Sequence, residues 1–182
     1  PPGIDPYRPF PSHKRYLWGL TRAWIENPII VVAKSRQMLV SWLFCALFLC
    51  DAMFKAGRVN VCQSMDKDSA AELIWRMTII AEKVPAWLRP PGWPAKDDMQ
   101  TFKIQFPGHH SKITSIPAGS DQARGLTGSN IFLDEFAKIK DATDSWVASL
   151  PAIKGGGKLV VVSSAWPGSF HALYEGRVDK MR

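Results

Sequence analysis

Two adjacent carboxylates directly follow a short apolar run in the C-terminal half of the chain. The run Ile131–Leu133 is expected to form a buried strand, and Asp134 and Glu135 stand at its carboxyl end. A carboxylate in that position can hold Mg²⁺, and a glutamate beside it can orient and deprotonate a water molecule. Because adjacent side chains point in different directions, each acid is expected to have its own role. The alternative is a strand that ends in a solvated acidic turn.

A polar loop between a second apolar run and a long apolar helix has the setting of a phosphate-binding loop. The run covers 29–32 and the helix about 41–54, so N–H groups at the start of the helix would favour an anion. Leu39 and Val40 stand where the pattern GxxxxGK[ST] has Gly and Lys, and only the hydroxyl of Ser41 matches. Lys34, at the start of the loop, is therefore the candidate cation, with Arg36 as a second. An ordinary loop with solvated cations is the alternative.

Hydroxyls follow a third buried strand, and an arginine lies in a glycine-rich loop. Ser163 and Ser164 come after the run 158–162, where a sensor of a terminal phosphate would stand. Arg124 lies in the segment 119–128 and could reach phosphate charge in its own copy of the chain or in a neighbour. The structural alternatives are a serine pair that caps the next segment and an arginine on the surface.

The elements that must position these residues alternate along the chain. Apolar periodicity and continuous apolar runs predict strand, helix, strand, helix, hairpin, strand, helix, strand and helix. This order predicts an α/β domain with a mostly parallel sheet, in which ligands sit at the carboxyl ends of strands. The expected helices cover 13–25 with Ser12 as the cap, 41–54, 66–83, 144–150 and a segment from 169. The expected strands cover 29–32, 58–62, 102–106 and 112–116 as a hairpin, 131–133 and 158–162.

Composition excludes several classes of protein. With 182 residues and 46% hydrophobic residues the chain can bury the core of one domain, so global disorder is excluded. The net charge of +7 is concentrated early, because residues 1–60 hold eight basic and three acidic side chains, which allows a basic face for a polyanion. The longest apolar stretch, 43–49, is too short to span a bilayer. Cys45 and Cys50 lie in this apolar region and are expected to be buried thiols.

These motifs together resemble the large terminase subunit of tailed bacteriophages. The resemblance rests on SRQ at 35–37, ARGLTG at 123–128, IFLDE at 131–135 and VVSSAWPG at 161–168, and covers about 7–170. It implies a P-loop NTPase of the RecA-like (ASCE) type, with a mostly parallel sheet flanked by helices and a β-hairpin insertion. One ATPase domain would span 1–182, with 1–27 an arm and helix on the adenine side and 28–182 the P-loop core. The nuclease domain of full-length terminases is expected to be absent from this chain.

The resemblance also implies roles for the candidate residues, with ATP as the nucleotide and Mg²⁺ as the metal. Asp134 resembles the Walker B aspartate that holds Mg²⁺ and Glu135 the catalytic glutamate. The loop departs from the common form SRQxGKS/T and is similar to a variant, KSxxxxxS, whose phosphate lysine would be Lys34 and whose Mg²⁺-binding hydroxyl would be Ser41. Arg124 resembles an arginine that some members insert into a neighbour's site. The remaining implied residues are Ser163 and Ser164 for coupling, Tyr16 beside adenine, and Ser35, Arg36, Gln37, Met38, Leu39, Val40 and Trp42 in the nucleotide-binding loop.

The function expected from this resemblance is ATP hydrolysis that drives viral double-stranded DNA into procapsids. The implied partners are DNA, the portal protein and the small terminase subunit. The chain is expected to form a homo-oligomeric ring on the procapsid and to be a monomer when isolated. It is expected to act in the cytoplasm of an infected bacterial host, without contact with a membrane. Two alternatives remain open. One is a superfamily 2 helicase core, because Asp134-Glu135 and Ser164-Ala165 are similar to its DExx and SAT motifs. The other is a DNA-binding or assembly module that has lost ATP.

Overall fold

A seven-stranded sheet forms the centre of the molecule. The computed structural model describes residues 9–119 and 128–177. Its strands, numbered along the chain, are β1 (Ile29–Lys34), β2 (Val59–Ser64), β3 (Met99–Gln100), β4 (Lys103–Phe106), β5 (Ser111–Pro117), β6 (Asn130–Asp134) and β7 (Lys158–Ser164). Their order in the sheet is β1-β7-β6-β2-β5-β4-β3. The first five strands in this order are parallel, whereas β4 and β3 pair antiparallel at one end.

Helices cover both faces of the sheet. They are α1 (Arg15–Glu26), α2 (Val40–Phe54), α3 (Lys67–Lys83), α4 (Ala142–Lys154) and α5 (Ser169–Tyr174). Short 3₁₀ turns at 86–88, 96–98, 107–109 and 136–138 join them to the strands. None of the helices in the described residues has the length and apolar character needed to cross a bilayer.

The predicted α/β architecture, with a mostly parallel sheet and a hairpin, is confirmed. The two-residue strand β3 lies in a proline-rich region, and its pairing with β4 depends on the hairpin beside it rather than on a local pattern. The predicted cap at Ser12 is wrong, because α1 begins at Arg15 and its capping position, Lys14, makes no side-chain hydrogen bond. The carbonyl of Ser12 instead accepts a hydrogen bond from the indole N–H of Trp18.

Two apolar clusters, one on each face, hold the helices to the sheet. One face packs α1, α2 and α3 over the strands, and the other packs α4 and α5. Strand β6 shows why its sequence is continuously apolar: Phe132 packs into the first cluster while Ile131 and Leu133 pack into the second. Successive side chains of a strand point to opposite faces, so a strand covered on both sides must be apolar throughout.

Helix α2 is the most deeply buried helix. Phe44, Cys45 and Phe48 have no exposed surface, and the rings of Phe44 and Phe48 lie 5.7 and 5.6 Å from that of Phe132. The prediction of two buried thiols is half wrong, because Cys45 is buried and Cys50 is exposed. Five residues along a helix turn a side chain by about 140°, which carries Cys50 away from the face that Cys45 presents to α3.

A buried carboxylate ties α2 to the amino ends of β2 and β6. Asp51 accepts a hydrogen bond from the side-chain amide of Asn130 at 2.7 Å and from that of Asn60 at 3.3 Å. Lys55 and Arg58 neutralise its charge at 2.7 and 3.3 Å. This cluster lies at the edge of the sheet opposite to the carboxyl ends of the strands, so it fixes α2 from its far end.

Candidate active site

The carboxyl ends of β1, β7 and β6 are neighbours at one edge of the sheet. Lys34 at the end of β1 is paired in register with Ser164 of β7, and Asp134 at the end of β6 is paired with Val162. A cleft of about 500 Å³ opens beside these ends. It is lined by Lys34, Arg36, Gln37, Met38, Leu39, Val40, Ser41, Trp42, Ser64, Met65, Ser69, Glu72, Arg76, Asp134, Glu135 and Lys138.

An ion pair joins the end of β1 to the residue that directly follows β6. Nζ of Lys34 donates to Oε1 of Glu135 at 2.7 Å, and the side chain of Lys34 is only 9% exposed. Burial by itself would raise the pKa of Glu135, but the hydrogen bond and charge of Lys34, with a further contribution from Lys138, lower it below its ordinary value. Glu135 is therefore ionised at neutral pH, as a group that accepts a proton must be.

A second contact joins the helix α2 to the end of β6. The hydroxyl of Ser41 donates to Oδ1 of Asp134 at 2.9 Å. Burial raises the pKa of Asp134 above its ordinary value and outweighs the opposing effects of the Ser41 hydrogen bond and of the charges of Lys34 and Arg76. A buried carboxylate whose charge is under-compensated is suited to a cation. Its oxygen and the hydroxyl are hard ligands of the kind that Mg²⁺ takes alongside phosphate oxygens and water.

Ser41 and Asp134 could supply two of the ligands of Mg²⁺ but not a complete coordination shell. No group of three or more His, Cys, Asp or Glu side chains within residues 9–119 and 128–177 could hold a metal ion on its own. Mg²⁺ usually keeps several waters and binds through one or two carboxylates together with substrate phosphates. The donor set of Ser41 and Asp134 is of that kind.

The loop between β1 and α2 has the backbone shape of an anion-binding turn. Gln37 and Leu39 have φ of 60° and 56°, which is the left-handed region, and the carbonyl of Leu39 accepts the first hydrogen bond of α2 from Leu43 N–H. Left-handed residues within such a turn direct successive N–H groups into one concavity. Leu39 thus adopts the conformation for which glycine is the usual residue, despite its side chain.

Val40 does not stand in for a phosphate lysine. Its side chain is 2% exposed and packs into the apolar cluster beneath α2. Lys34 instead approaches the cleft from the end of β1, with its ammonium group at the carboxylate of Glu135. Lys34 therefore enters the cleft from the strand, before the loop begins.

Four predicted site residues are not among those that line the cleft. The hydroxyl of Tyr16 donates to the carbonyl of Met38 at 2.8 Å, so it supports the loop from behind. The buried hydroxyl of Ser163 accepts a hydrogen bond from Ala137 N–H at 3.0 Å, two residues after Glu135. Ser164 is half-buried beside it, and Ser35 is exposed on the loop. Arg124 lies outside the described residues.

Sequence reasoning missed the wall that α3 supplies. Arg76 and Glu72 of α3 line the cleft, as do Ser64, Met65 and Ser69 before and within its first turn. Lys138, which stands 3.6 Å from Oε2 of Glu135, was also missed. Lys138 lies only three residues after Glu135, and that spacing is a usable signal. Arg76 has no such signal, because it reaches the cleft only through the packing of α3 on α2.

The fold and the cleft together define a RecA-like α/β domain with its candidate site at the carboxyl ends of parallel strands. Residues 31–181 match the family model "Terminase large subunit, T4likevirus-type, N-terminal". The chain belongs to this family of large terminase subunits. No curated protein matches the chain.

Solved structures of phage large terminases share this fold. The ATPase domain of the Thermus phage P74-26 large terminase, solved as a point mutant, has a TM-score of 0.66 at 16% identity, covering 92% of this chain and 70% of that one. Another structure of that ATPase domain has a TM-score of 0.59 at 18% identity, covering 92% and 75%. The HK97 bacteriophage large terminase has a TM-score of 0.65 at 15% identity, covering 96% of this chain and 39% of that one. This chain thus spans well under half of the HK97 protein.

Proposed function

We propose that this chain is a Mg²⁺-dependent ATPase that drives viral double-stranded DNA into procapsids. The observation that carries the proposal is the meeting of Lys34 and Glu135 at 2.7 Å on the wall of a cleft that also holds the start of α2. A phosphate-binding cation, a proton-accepting carboxylate and the N–H groups of a helix start are the parts that nucleotide hydrolysis requires. Membership of the large terminase family supports ATP as the substrate.

Four residues of the cleft have a role in this chemistry, namely Lys34, Ser41, Asp134 and Glu135. Lys34 and the loop amides bind the β- and γ-phosphates, and Glu135 orients a water and accepts its proton. The water oxygen forms a bond to the γ-phosphorus while the bond to the bridging oxygen breaks, releasing ADP and phosphate. Ser41 and Asp134 would hold Mg²⁺, which when bound neutralises charge on the phosphates. Arg124 from a neighbouring subunit would stabilise the transferring phosphoryl group.

Two further groups would connect the cleft with its surroundings. Ser163 accepts a hydrogen bond from the backbone just after Glu135, so a shift of Glu135 on hydrolysis would reach β7 through that contact. Tyr16 holds the carbonyl of Met38 and would support the adenine side of the loop. We place the assembled motor as a ring on the procapsid in the host cytoplasm, with the portal protein, the small subunit and DNA as partners.

Calorimetric titration of Mg-ATP tests the proposal. The wild-type chain is expected to bind, and Lys34→Ala is expected to lose binding at least about a hundredfold, because a charge-assisted phosphate contact disappears. Lys154→Ala is the matched control, since Lys154 is an exposed lysine at the end of α4. Two results together would contradict the proposal and favour a DNA-binding module: the wild-type chain does not bind Mg-ATP, and it binds DNA with an affinity that falls steeply as the salt concentration rises.

A further inference from the structure

Helix α3 contributes an arginine to the lining of the cleft. Arg76 lines the cleft together with Trp42, the residue that follows Ser41. Its guanidinium lies over the indole of Trp42, 5.6 Å from the ring centroid, and the side chain is 17% exposed. An arginine held this closely beside a polar cleft differs from a solvated one, because its position is fixed by packing.

The guanidinium is only partly satisfied by its protein contacts. One terminal nitrogen of Arg76 donates to Oε1 of Glu72 at 2.6 Å, one helical turn earlier. Its Nε is buried and has no hydrogen-bond partner in the part of the chain that the structure describes. The contact with Glu72 therefore satisfies only part of the hydrogen-bonding capacity of the guanidinium.

Arg76 and Lys34 line the same cleft, together with Ser41 and Asp134. Lys34 belongs to β1 and Arg76 to the helix that follows β2, and β1 and β2 lie on either side of β7 and β6 in the sheet. An anion seated at the start of α2, next to Ser41, would therefore lie between Lys34 and Arg76.

We propose that Arg76 is a further phosphate-binding residue of this cleft and contacts the phosphate oxygens of a bound nucleoside triphosphate. The inference rests on the proposed function and adds a cation that acts from within the same chain. Glu72 competes for the guanidinium, and a phosphate group, with more charge and more acceptor oxygens, displaces it. Trp42 keeps the guanidinium plane in place during this exchange.

Two variants of one ion pair separate a binding role from a structural one. In Mg-ATP titrations of the whole chain, Arg76→Gln is expected to weaken affinity at least about tenfold, whereas Glu72→Gln tightens it roughly two- to fivefold by removing the competitor. A purely structural ion pair would shift both variants in the same direction. The loss of affinity caused by Arg76→Gln should be much smaller with AMP as the titrant, because AMP lacks the terminal phosphates.

Urea unfolding of each variant shows whether it is folded. Arg76→Lys is a second variant, which keeps the positive charge but lacks the planar set of N–H donors of the guanidinium. Intermediate affinity for Arg76→Lys supports the proposal. Wild-type affinity in folded Arg76→Gln and Arg76→Lys, with binding lost in Lys34→Ala, would overturn this inference and leave the ATPase proposal standing. Equal weakening by Arg76→Gln and Glu72→Gln would overturn it as well. Absence of Mg-ATP binding in the wild type would overturn both proposals.

Discussion

Lys34 and Glu135 lie 101 residues apart in the chain, yet Nζ of one donates to Oε1 of the other at 2.7 Å. The contact exists because β1 and β6 flank β7 in a parallel sheet and end at the same edge. The ion pair brings the two opposite charges together. A nucleotide phosphate would compete with Glu135 for Lys34, and this competition leads to the first prediction.

Glu135→Gln is expected to separate binding from hydrolysis. The amide keeps the shape of the side chain but cannot accept a proton, so ATP turnover should fall at least about a hundredfold. Affinity for Mg-ATP should be unchanged or higher, because Lys34 loses an anionic competitor. Phosphate release and calorimetry on the same preparation measure the two effects. Glu82→Gln, at an exposed glutamate, is the control, and wild-type turnover in Glu135→Gln would refute the assigned role.

Leu39 gives a prediction about strain in the loop. Its φ of 56° disfavours any residue with a Cβ, by about 1–2 kcal/mol. Leu39→Gly is therefore expected to be more stable than Leu39→Ala by about 1 kcal/mol, although glycine is usually the less stable of the two. Leu39→Val should be the least stable, because a β-branched side chain resists this conformation most. Urea unfolding of the three variants checks the order, and greater stability of Leu39→Ala than of Leu39→Gly would contradict it.

The architecture was predictable because its signals are local. Continuous apolar runs in β1, β6 and β7 identify strands covered on both faces, and their alternation with helices implies parallel pairing. Parallel pairing then brings Lys34, Asp134 and Ser164 to one edge without any knowledge of side-chain contacts. The loop, with Lys34 before it and Ser41 after it, was accessible for the same reason, since both residues flank one short segment.

Features that depend on packing between distant segments were not predictable. Arg76 reaches the cleft only because α3 packs on α2, where the thiol of Cys45 donates to the carbonyl of Leu73. No periodicity in α3 distinguishes an arginine over Trp42 from one in solvent. The left-handed conformation of Leu39 could not be predicted, because leucine, unlike glycine, does not indicate a positive φ.

The Asp51 cluster yields a prediction of stability. Asp51→Ala would leave the buried amides of Asn60 and Asn130 and the charges of Lys55 and Arg58 without their shared acceptor. We expect the free energy of unfolding to fall by roughly 3–5 kcal/mol, the usual cost of removing one partner from a buried charged network. Urea unfolding measures the loss. Asp97→Ala, at an exposed aspartate, should change stability by less than about 0.5 kcal/mol, and a similarly small effect of Asp51→Ala would contradict the prediction.

The cap of α3 gives a prediction that depends on pH. Oδ1 of Asp66 accepts a hydrogen bond from Ser69 N–H at 2.7 Å, and this bond lowers the pKa of Asp66 below its ordinary value. A carboxylate whose pKa is lowered on folding stabilises the fold above its unfolded-state pKa, about 3.9, and loses that contribution as the pH falls through the folded-state value. Asp66→Ala should therefore lower the free energy of unfolding by about 1 kcal/mol at pH 7, and by less as the pH falls below about 4.

Asp66→Asn separates the two parts of this effect, because asparagine also caps helices but carries no charge. Its cost at pH 7 is expected to be a few tenths of a kcal/mol, since it loses only the favourable interaction with the helix dipole. Urea unfolding of the wild type and both variants between pH 7 and pH 3.5 provides the comparison. A penalty for Asp66→Ala that stays constant over this range would show that the ionised carboxylate is not what stabilises the start of α3.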